Sequence, residues 1–181
     1  MTSRFFVVTG GPGSGKTSLV KALADDGLAH VPEAGRAIIR DQVAIGGTAL
    51  PWADRSAFAE HMFRRDLDTY RAAGALRGPV LFDRGLPDVI GYLTLCGLPV
   101  PPVMKEAAER CRYHRRVFLA PFWTDIFSQD DERRQSAEEA EATGHTMARI
   151  YTELGYELVP LPLAPIAERI AFVRNAIDRP A

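Results

Sequence analysis

The sequence has few of the residues that build disulfide frameworks or zinc sites. Its 181 residues include two cysteines, Cys96 and Cys111, and four scattered histidines. The cysteines form no CxxC pair, and the histidines lack the spacing of metal ligands. No apolar segment approaches the ~20 residues that a membrane-spanning helix needs, and the N-terminus lacks the basic start and long apolar core of a signal peptide. These absences predict a reduced, cytoplasmic protein with no membrane partner.

An excess of charge of either sign is also missing. Lys and Arg number 22 against 23 Asp and Glu, which gives a formal charge of -1. A dedicated nucleic-acid surface usually requires clustered positive charge, so none is expected. The apolar fraction of 46% and the charged fraction of 25% are typical of globular proteins. Since the length suits one domain, we expect a single domain over residues 1–181.

Short apolar segments alternate with longer helical patterns, which is typical of βαβ units. The predicted strands are 4–9, 28–31, 79–82, 116–120 and 156–161. Helices are predicted at 16–25, 34–45, 54–73, 86–95 and 103–113, around Met147 to Leu154, and from Ile166 onwards. This order predicts an α/β fold, a three-layer α/β/α sandwich around a five-stranded, mainly parallel sheet.

Residues 10–17 read GGPGSGKT and match the phosphate-loop pattern G-x-x-x-x-G-K-[ST]. Glycines let main-chain amides approach phosphate oxygens, at the positive end of the helix that follows. Lys16 suits the β- and γ-phosphates, and the Thr17 hydroxyl suits Mg²⁺. The alternative is a glycine-rich turn without a ligand, but the position between an apolar strand and a helix favours a nucleotide site. The predicted contacts are Gly10, Gly11, Pro12, Gly13, Ser14, Gly15, Lys16, Thr17 and Ser18.

Three short motifs together resemble the P-loop kinase-type NTPases. They are the loop at 10–17, the Asp83-Arg84 pair after the third strand, and the Arg133-Arg134 pair before a late helix. The pattern looks like nucleoside and nucleotide kinases, and it is also similar to the small AAA-type predicted ATPases of bacteria. The resemblance implies the sheet order 2-3-1-4-5, ATP with Mg²⁺, and phosphoryl transfer to a small acceptor such as a nucleoside or nucleotide.

Asp83 ends an apolar strand at the carboxyl edge of the predicted sheet, close to the phosphate loop. A carboxylate there could hold Mg²⁺ directly or through water; the alternative is that Asp83 caps the helix that begins at Leu86. The Asp83-Arg84 pair also resembles the Asp-Arg of thymidylate kinases and the Glu-Arg-Ser of deoxynucleoside kinases. That resemblance implies that Arg84 clamps the phosphates or the acceptor.

The acceptor side is predicted from single residues near strand ends. Glu33 follows the second strand, where deoxynucleoside kinases have the Glu that takes the proton from the attacking hydroxyl; the alternative is a Glu that complements a helix dipole. Arg36 lies one helical turn further on the same side, where it could pair with Glu33 or hold an anionic substrate. Asp88 could face the acceptor or be an ordinary exposed helix residue. The loop after the fourth strand offers Trp123 as a further contact.

A charged segment, QDDERRQS, precedes the Met147 helix. In kinases of the branch that the chain resembles, a lid lies there, and we expect it at about residues 127–145. Arg133 and Arg134 would neutralise charge on the transferring phosphoryl group, although they point about 100° apart on a helix. The alternative is a solvated helix start in which the neighbouring acids neutralise both arginines.

These residues favour a kinase that uses Mg²⁺ and a nucleoside triphosphate. The alternatives are an ATPase whose hydrolysis drives a conformational switch or partner interaction, and a nucleotide-binding regulatory module without turnover. The base-reading NKxD motif of GTPases is missing from the sequence. The sequence does not decide whether the protein prefers ATP or GTP. It also does not identify the acceptor or show whether the protein forms a homo-oligomer.

Overall fold

The computed structural model describes residues 4–126 and 136–178, and within them five strands alternate with seven α-helices. In chain order these elements are β1 (Phe5–Gly10), α1 (Lys16–Asp25), β2 (Ala29–Val31), α2 (Ala34–Ile45), α3 (Arg55–Ala72), β3 (Val80–Asp83), α4 (Leu86–Leu95), α5 (Pro102–Arg110), β4 (Arg116–Ala120), α6 (Ala137–Glu153), β5 (Glu157–Pro160) and α7 (Ile166–Asp178). None of the helices in these two stretches is both long and apolar enough to cross a membrane.

The five strands form one sheet in the order β2-β3-β1-β4-β5, and every neighbouring pair is parallel. The predicted sheet order and sandwich are therefore confirmed. β1 lies at the centre, with Val8 in register with Asp83 on one side and Phe118 on the other. Because parallel strands end at the same edge, the loops after β1, β2, β3 and β4 meet there.

Two apolar layers cover the faces of the sheet. Phe5 and Val7 of β1 face a cluster that includes side chains from α3, α4, α5 and α6. Phe6 and Val8 point the opposite way, toward α1 and α7. This alternation follows from the two-residue period of a strand, and each fully buried Val, Leu or Phe contributes about 1.5–3 kcal/mol. The packed layers hold the carboxyl edge of the sheet in place.

The structure shortens one predicted helix. The apolar pattern predicts a helix over 103–113, whereas α5 ends at Arg110. Beyond it, the Tyr113 amide donates to the Tyr156 hydroxyl at 3.2 Å and the His114 amide donates to the Phe5 carbonyl at 2.6 Å. These tertiary hydrogen bonds replace the local bonds that a longer helix would make.

Candidate functional site

The loop between β1 and α1 needs glycine at two positions for different reasons. Gly15 has a φ of 75°, a left-handed conformation that other residues adopt at a cost. At Gly11, a Cβ atom would lie 2.0 Å from the carbonyl oxygen of Ala140 on α6, so a side chain cannot fit. The loop can therefore lie close under α6 while it turns into α1. The amides at the start of α1 thus have the geometry that suits an anion.

Lys16 lies across this loop rather than in solvent. It is 3% exposed, and its Nζ donates to the Gly11 carbonyl and, at 3.1 Å, to the Ser14 hydroxyl oxygen. The Ser14 hydroxyl in turn donates to the Gly11 carbonyl at 2.8 Å. The ammonium group is thus held at the phosphate loop, where it can donate charge-assisted hydrogen bonds to a phosphate.

Thr17 and Asp83 form the part of the site that fits a divalent cation. The Thr17 hydroxyl donates to Asp83 Oδ2 at 3.0 Å, and Oδ1 of this buried carboxyl has no hydrogen-bond partner among the described residues. Burial raises the pKa of Asp83, as does the charge of Glu33, while Lys16 and Arg84 act in the opposite direction. A hard cation such as Mg²⁺ binds this kind of oxygen pair and takes its other ligands from phosphate and water. The donor set therefore fits the predicted metal.

No larger cluster of ligands competes with this pair. Over residues 4–126 and 136–178, no group of three or more His, Cys, Asp or Glu side chains could hold a metal ion. Mg²⁺ sites in phosphate-binding proteins need only one or two protein ligands. Thr17 and Asp83 are thus the best candidate metal ligands in the part of the chain that is described.

Arg84 connects the phosphate loop to the acceptor side. Its Nε donates to Glu33 Oε1 at 3.1 Å, and its Nη1 donates to the Gly10 carbonyl at 3.1 Å and to Asp88 Oδ1 at 3.0 Å. Its φ of 74° is the one positive value among the described residues other than glycine, a strained conformation typical of functional sites. Burial acts to lower the pKa of Arg84, but the carboxylates of Glu33, Asp88 and Asp83 raise it overall.

Glu33 faces Arg84 rather than the end of its own helix. It occupies the N-cap position of α2, yet its side chain accepts no capping hydrogen bond. Its carboxylate is 15% exposed and forms an ion pair with Arg84. This arrangement favours the predicted site residue over a Glu that only complements the helix dipole. Arg36 lies half-buried in the first turn of α2, and its contact with substrate stays a prediction.

The structure does not favour the predicted acceptor contact of Asp88. This residue is 4% exposed. Its Oδ1 accepts hydrogen bonds from the Thr9 hydroxyl at 2.6 Å and from Arg84, and its Oδ2 accepts from the Gly85 amide at 2.9 Å and the Tyr151 hydroxyl at 2.7 Å. Because both oxygens already hold two donors, Asp88 orients Arg84 and anchors α4 to α6.

Asp66 on α3 is a candidate that the sequence reasoning missed. Burial raises the pKa of this carboxyl to about 8, and the neighbouring charges of Asp88 and Glu33 raise it further. The protonated form of Asp66 is therefore favoured to a higher pH than in an ordinary aspartate. A signal for it existed, because Asp66 lies three residues after Phe63 and four before Tyr70 on the inward face of α3.

A cleft of about 260 Å³ opens on the other side of the phosphate loop. Trp123 and Ile126 after β4 and Pro165 before α7 form its apolar wall, while Ser18 and Arg169 also line it. The sequence predicts Trp123 as a contact on the acceptor side, whereas the structure places it in this cleft with Ser18 and Pro165. A flat aromatic wall next to a phosphate loop suits the base or sugar of a nucleotide.

Arg133 and Arg134 lie outside the described residues, so their lid role stays a prediction. The predicted lid at 127–145 overlaps the first half of α6. That helix begins with a capping box, in which the Glu139 amide donates to Ser136 Oγ at 3.1 Å and the Ser136 amide donates to Glu139 Oε2 at 2.7 Å. The capping box fixes the first turn of α6, and Ala140 in that turn lies against Gly11.

Comparisons with known proteins agree with this architecture. Residues 5–169 match a protein family described as AAA domain. No curated protein matches the sequence. Among solved structures, the chain is similar to deoxyadenosine kinase from M. mycoides, at 12% identity and a TM-score of 0.65, over 96% of this chain and 98% of that chain.

Two further solved structures are similar. The NadR protein in complex with NR has 19% identity and a TM-score of 0.70, over 99% of this chain but 52% of that chain, so this chain spans about half of NadR. Thymidylate kinase from Ehrlichia chaffeensis has 14% identity and a TM-score of 0.64, over 98% of this chain and 100% of that chain. At these identities the similarity establishes the fold, and the resemblance to P-loop kinase-type NTPases is confirmed at that level.

Proposed function

This chain belongs to the AAA domain family that matches residues 5–169 and has the P-loop kinase fold, and from this premise we propose that it transfers a phosphoryl group from ATP, with Mg²⁺, to a small acceptor. The observation that carries the proposal is the proximity of two groups of residues at one sheet edge. Lys16, Thr17 and Asp83 form the phosphate and metal group, and the Glu33–Arg84 ion pair lies beside them. Phosphoryl transfer needs this combination of positioning and charge.

The proposed donor site uses main-chain amides and one lysine. The main-chain amides of Gly11 and of residues 13–17 would hold the β- and γ-phosphates at the positive end of α1. Lys16 would exchange its bonds to the Gly11 carbonyl and Ser14 hydroxyl for bonds to phosphate oxygens. Thr17 and Asp83 would hold Mg²⁺, which when bound neutralises charge on the phosphates.

The proposed transfer involves one proton and one phosphoryl group. An acceptor hydroxyl oxygen forms a bond to the γ-phosphorus while the bond between that phosphorus and the bridging β,γ-oxygen breaks. The hydroxyl proton passes to the Glu33 carboxylate, and ADP leaves with the bridging oxygen. Arg84 holds Glu33 in position through the 3.1 Å bond from its Nε, and general-base assistance of this kind contributes about 10²–10⁴-fold in rate.

The charges near Arg84 favour an acceptor without a phosphate. Three carboxyl groups, from Glu33, Asp88 and Asp83, already act on the Arg84 guanidinium. A phosphorylated acceptor would bring more negative charge into this partly buried region, where repulsion is weakly screened. We therefore place a nucleoside ahead of a nucleotide as the acceptor class, with Arg36 as a further contact. The similar structure from M. mycoides is a deoxyadenosine kinase, which is named for such an acceptor.

An ATPase that drives a conformational switch is the second candidate. Glu33 could take a proton from a water molecule as well as from an acceptor hydroxyl, because both reactions start with an oxygen nucleophile in line with the γ-phosphorus. The two candidates differ in what stimulates turnover. A kinase releases ADP in proportion to the acceptor that is phosphorylated, whereas a switch hydrolyses ATP without one.

The experiment that tests the proposal is a panel assay of ADP release with Mg²⁺ and ATP. It compares nucleosides, nucleoside monophosphates and no acceptor, and mass spectrometry identifies any phosphorylated product. We expect a nucleoside to stimulate ADP release and to gain one phosphoryl group. Lys16→Ala should abolish the signal, while Lys21→Ala, an exposed lysine on the same helix, should not. Equal ADP release with and without every acceptor would support the switch instead.

A further inference from the structure

Tyr151 on α6 is a fully buried tyrosine whose hydroxyl reaches the acceptor side of the site. Its side chain is 0% exposed, and its hydroxyl donates to Asp88 Oδ2 at 2.7 Å. Burial raises the pKa of Tyr151 well above its ordinary value, and the Asp88 carboxylate raises it further. The phenol therefore keeps its proton at neutral pH and acts as a permanent hydrogen-bond donor to this carboxylate.

Two glycines on the side of Asp88 leave space for this contact. A Cβ atom built on Gly91, three residues after Asp88 on α4, would collide with the Met147 side chain on α6. A Cβ atom built on Gly85 would lie 3.0 Å from the Tyr151 hydroxyl oxygen, which is closer than an ordinary van der Waals contact. The absence of side chains at these positions lets α4 and α6 pack closely enough for the Tyr151 hydroxyl to reach Asp88.

Three hydrogen bonds connect this hydroxyl to the proposed base. After the bond from Tyr151 to Asp88 Oδ2, the second runs from Arg84 Nη1 to Asp88 Oδ1 at 3.0 Å, and the third runs from Arg84 Nε to Glu33 Oε1 at 3.1 Å. Tyr151 and the Gly85 amide hold Oδ2 of Asp88, so Oδ1 stays directed at Arg84. Bonds in such a buried chain support one another, because each one fixes the orientation of the next group.

The same helix also contacts the phosphate side of the site. The carbonyl of Ala140 on α6 lies against Gly11, where a Cβ atom would not fit. Tyr151 lies eleven residues after Ala140, or about three helical turns. α6 therefore contacts the phosphate loop near its start and the acceptor side near its end.

We propose that Tyr151 is a positioning residue for phosphoryl transfer, which fixes the Asp88 carboxylate and thereby holds Arg84 against Glu33. The proposal rests on the proposed function, since it requires Glu33 to take a proton from an acceptor. Tyr151 acts through Asp88 and not on the substrate. Without its hydroxyl, the Asp88 carboxylate can turn, and the ion pair between Arg84 and Glu33 is held less firmly.

The test compares Tyr151→Phe with Tyr156→Phe as the matched control. Tyr156 is also buried, its ring centroid lies 5.4 Å from that of Tyr151, and its hydroxyl accepts a hydrogen bond from the Tyr113 amide at 3.2 Å. Each variant loses one buried hydroxyl, so the melting temperature should fall in both.

Activity is measured with Mg²⁺, ATP and the nucleoside that gives the strongest ADP release, at a temperature where all variants are folded. We expect kcat to fall about tenfold in Tyr151→Phe, because the base is less well oriented, and to stay within about twofold of the wild type in Tyr156→Phe. The affinity for Mg²⁺-ATP and the KM for the nucleoside should be nearly unchanged in both variants.

A double-mutant cycle tests whether Tyr151 acts through Asp88. In Asp88→Asn the carboxylate that Tyr151 orients is already lost, so adding Tyr151→Phe should lower kcat by less than about twofold further. A purely structural role would instead give two independent losses that multiply. If Asp88→Asn does not fold, Arg84→Lys takes its place in the cycle, because Arg84 is the next residue in the chain of bonds.

Three results would overturn the inference. They are an unchanged kcat in Tyr151→Phe, an equal loss of kcat in Tyr156→Phe, and a further loss in the double variant as large as in Tyr151→Phe alone. Failure of the wild-type protein to phosphorylate any acceptor would instead contradict the proposed function, so the two failures can be told apart.

Discussion

The two halves of the candidate site are built in different ways. The phosphate half consists of consecutive residues, 10–17, and presents mainly backbone amides and one lysine. The acceptor half brings together side chains that are distant in sequence, such as Glu33 and Arg84, 51 residues apart. A contiguous backbone site depends on local geometry, whereas a network of side chains depends on how the helices pack. Changes in the acceptor half should therefore alter transfer or stability and leave nucleotide binding nearly intact.

The largest expected effect comes from Glu33→Gln. The variant retains a group that can accept a hydrogen bond from Arg84 but cannot take a proton. We expect acceptor phosphorylation to slow by about 10²–10⁴-fold, with the Mg²⁺-ATP affinity nearly unchanged. Single-turnover kinetics and calorimetry check the two parts separately.

Glu60→Gln is the control for this variant, because Glu60 is exposed on α3 and its ion pair in the described part of the chain is with Arg64. Phosphorylation at the wild-type rate in Glu33→Gln would remove Glu33 from the base role and pass that role to Asp83. The phosphate half and the acceptor half would then depend on the same carboxylate, so they could not be treated as two separate parts of the site.

Asp83→Asn should weaken the binding of Mg²⁺ and so slow turnover. The amide can still accept the hydrogen bond from Thr17, but it offers a cation no negative charge. We expect turnover at limiting Mg²⁺ to fall by about 10²-fold, comparable to the loss of one preorganised electrostatic contact, with partial recovery as Mg²⁺ is raised. Titration of activity with MgCl₂ checks this. Asp68→Asn is the control, because the Asp68 side chain is exposed on α3. An unchanged Mg²⁺ dependence would rule out Asp83 as a ligand.

Asp88→Asn should reduce stability more than it affects acceptor recognition. The amide nitrogen would face donors such as Arg84 or Tyr151, so a buried hydrogen bond is lost. We expect the free energy of unfolding to fall by about 1–3 kcal/mol, measured by urea denaturation, and kcat to fall while KM for the acceptor changes little. A raised KM with unchanged stability would instead indicate the direct acceptor contact that the sequence predicts.

The last expected effect concerns Asp66 and pH rather than catalysis. The pKa of Asp66 is about 8 in the folded chain and about 3.9 for an unfolded aspartate. Between these values the folded chain holds a proton that the unfolded chain has released, so stability falls as pH rises. The contribution is complete below the unfolded pKa and is lost as pH rises through the folded one. Asp66→Asn should remove a slope of up to about 1.4 kcal/mol per pH unit.

Denaturant titrations from pH 5 to pH 8 measure this slope in the wild type, in Asp66→Asn and in Asp68→Asn. Asp68 lies on the same helix with its side chain 77% exposed, so its variant should keep the wild-type slope. Equal slopes in all three proteins would show that Asp66 ionises normally and is not part of a buried acceptor network.

The phosphate half could be predicted from the sequence because its chemistry is local. The glycines, Lys16 and Thr17 are adjacent, and their position between a strand and a helix is visible in the hydrophobic pattern. Asp83 and Arg84 could be predicted as candidates because they come at the end of an apolar strand, and parallel strands end at one edge of the sheet. The sheet order came from the family resemblance, since hydrophobic periodicity does not determine which strands are neighbours.

The acceptor half was predicted less completely because its roles depend on packing. Asp88 looked like a substrate contact, but the approach of Thr9 and Tyr151 satisfies both of its oxygens. Asp66 and Arg169 were missed, although each has an ionisable side chain on the inner, apolar face of a helix. Such residues are costly unless something pairs with them, so an inward-facing charge within an apolar stripe is the signal to look for.

The most direct test of the account is a calorimetric titration of Mg²⁺-ATP into the wild type, Lys16→Ala and Glu33→Gln. If the phosphate half binds independently of the acceptor half, the wild type and Glu33→Gln will bind one nucleotide with affinities within a few-fold of each other, and Lys16→Ala will bind far more weakly. The absence of binding heat in the wild type with any nucleoside triphosphate would contradict the account, as would an equal loss of affinity in both variants.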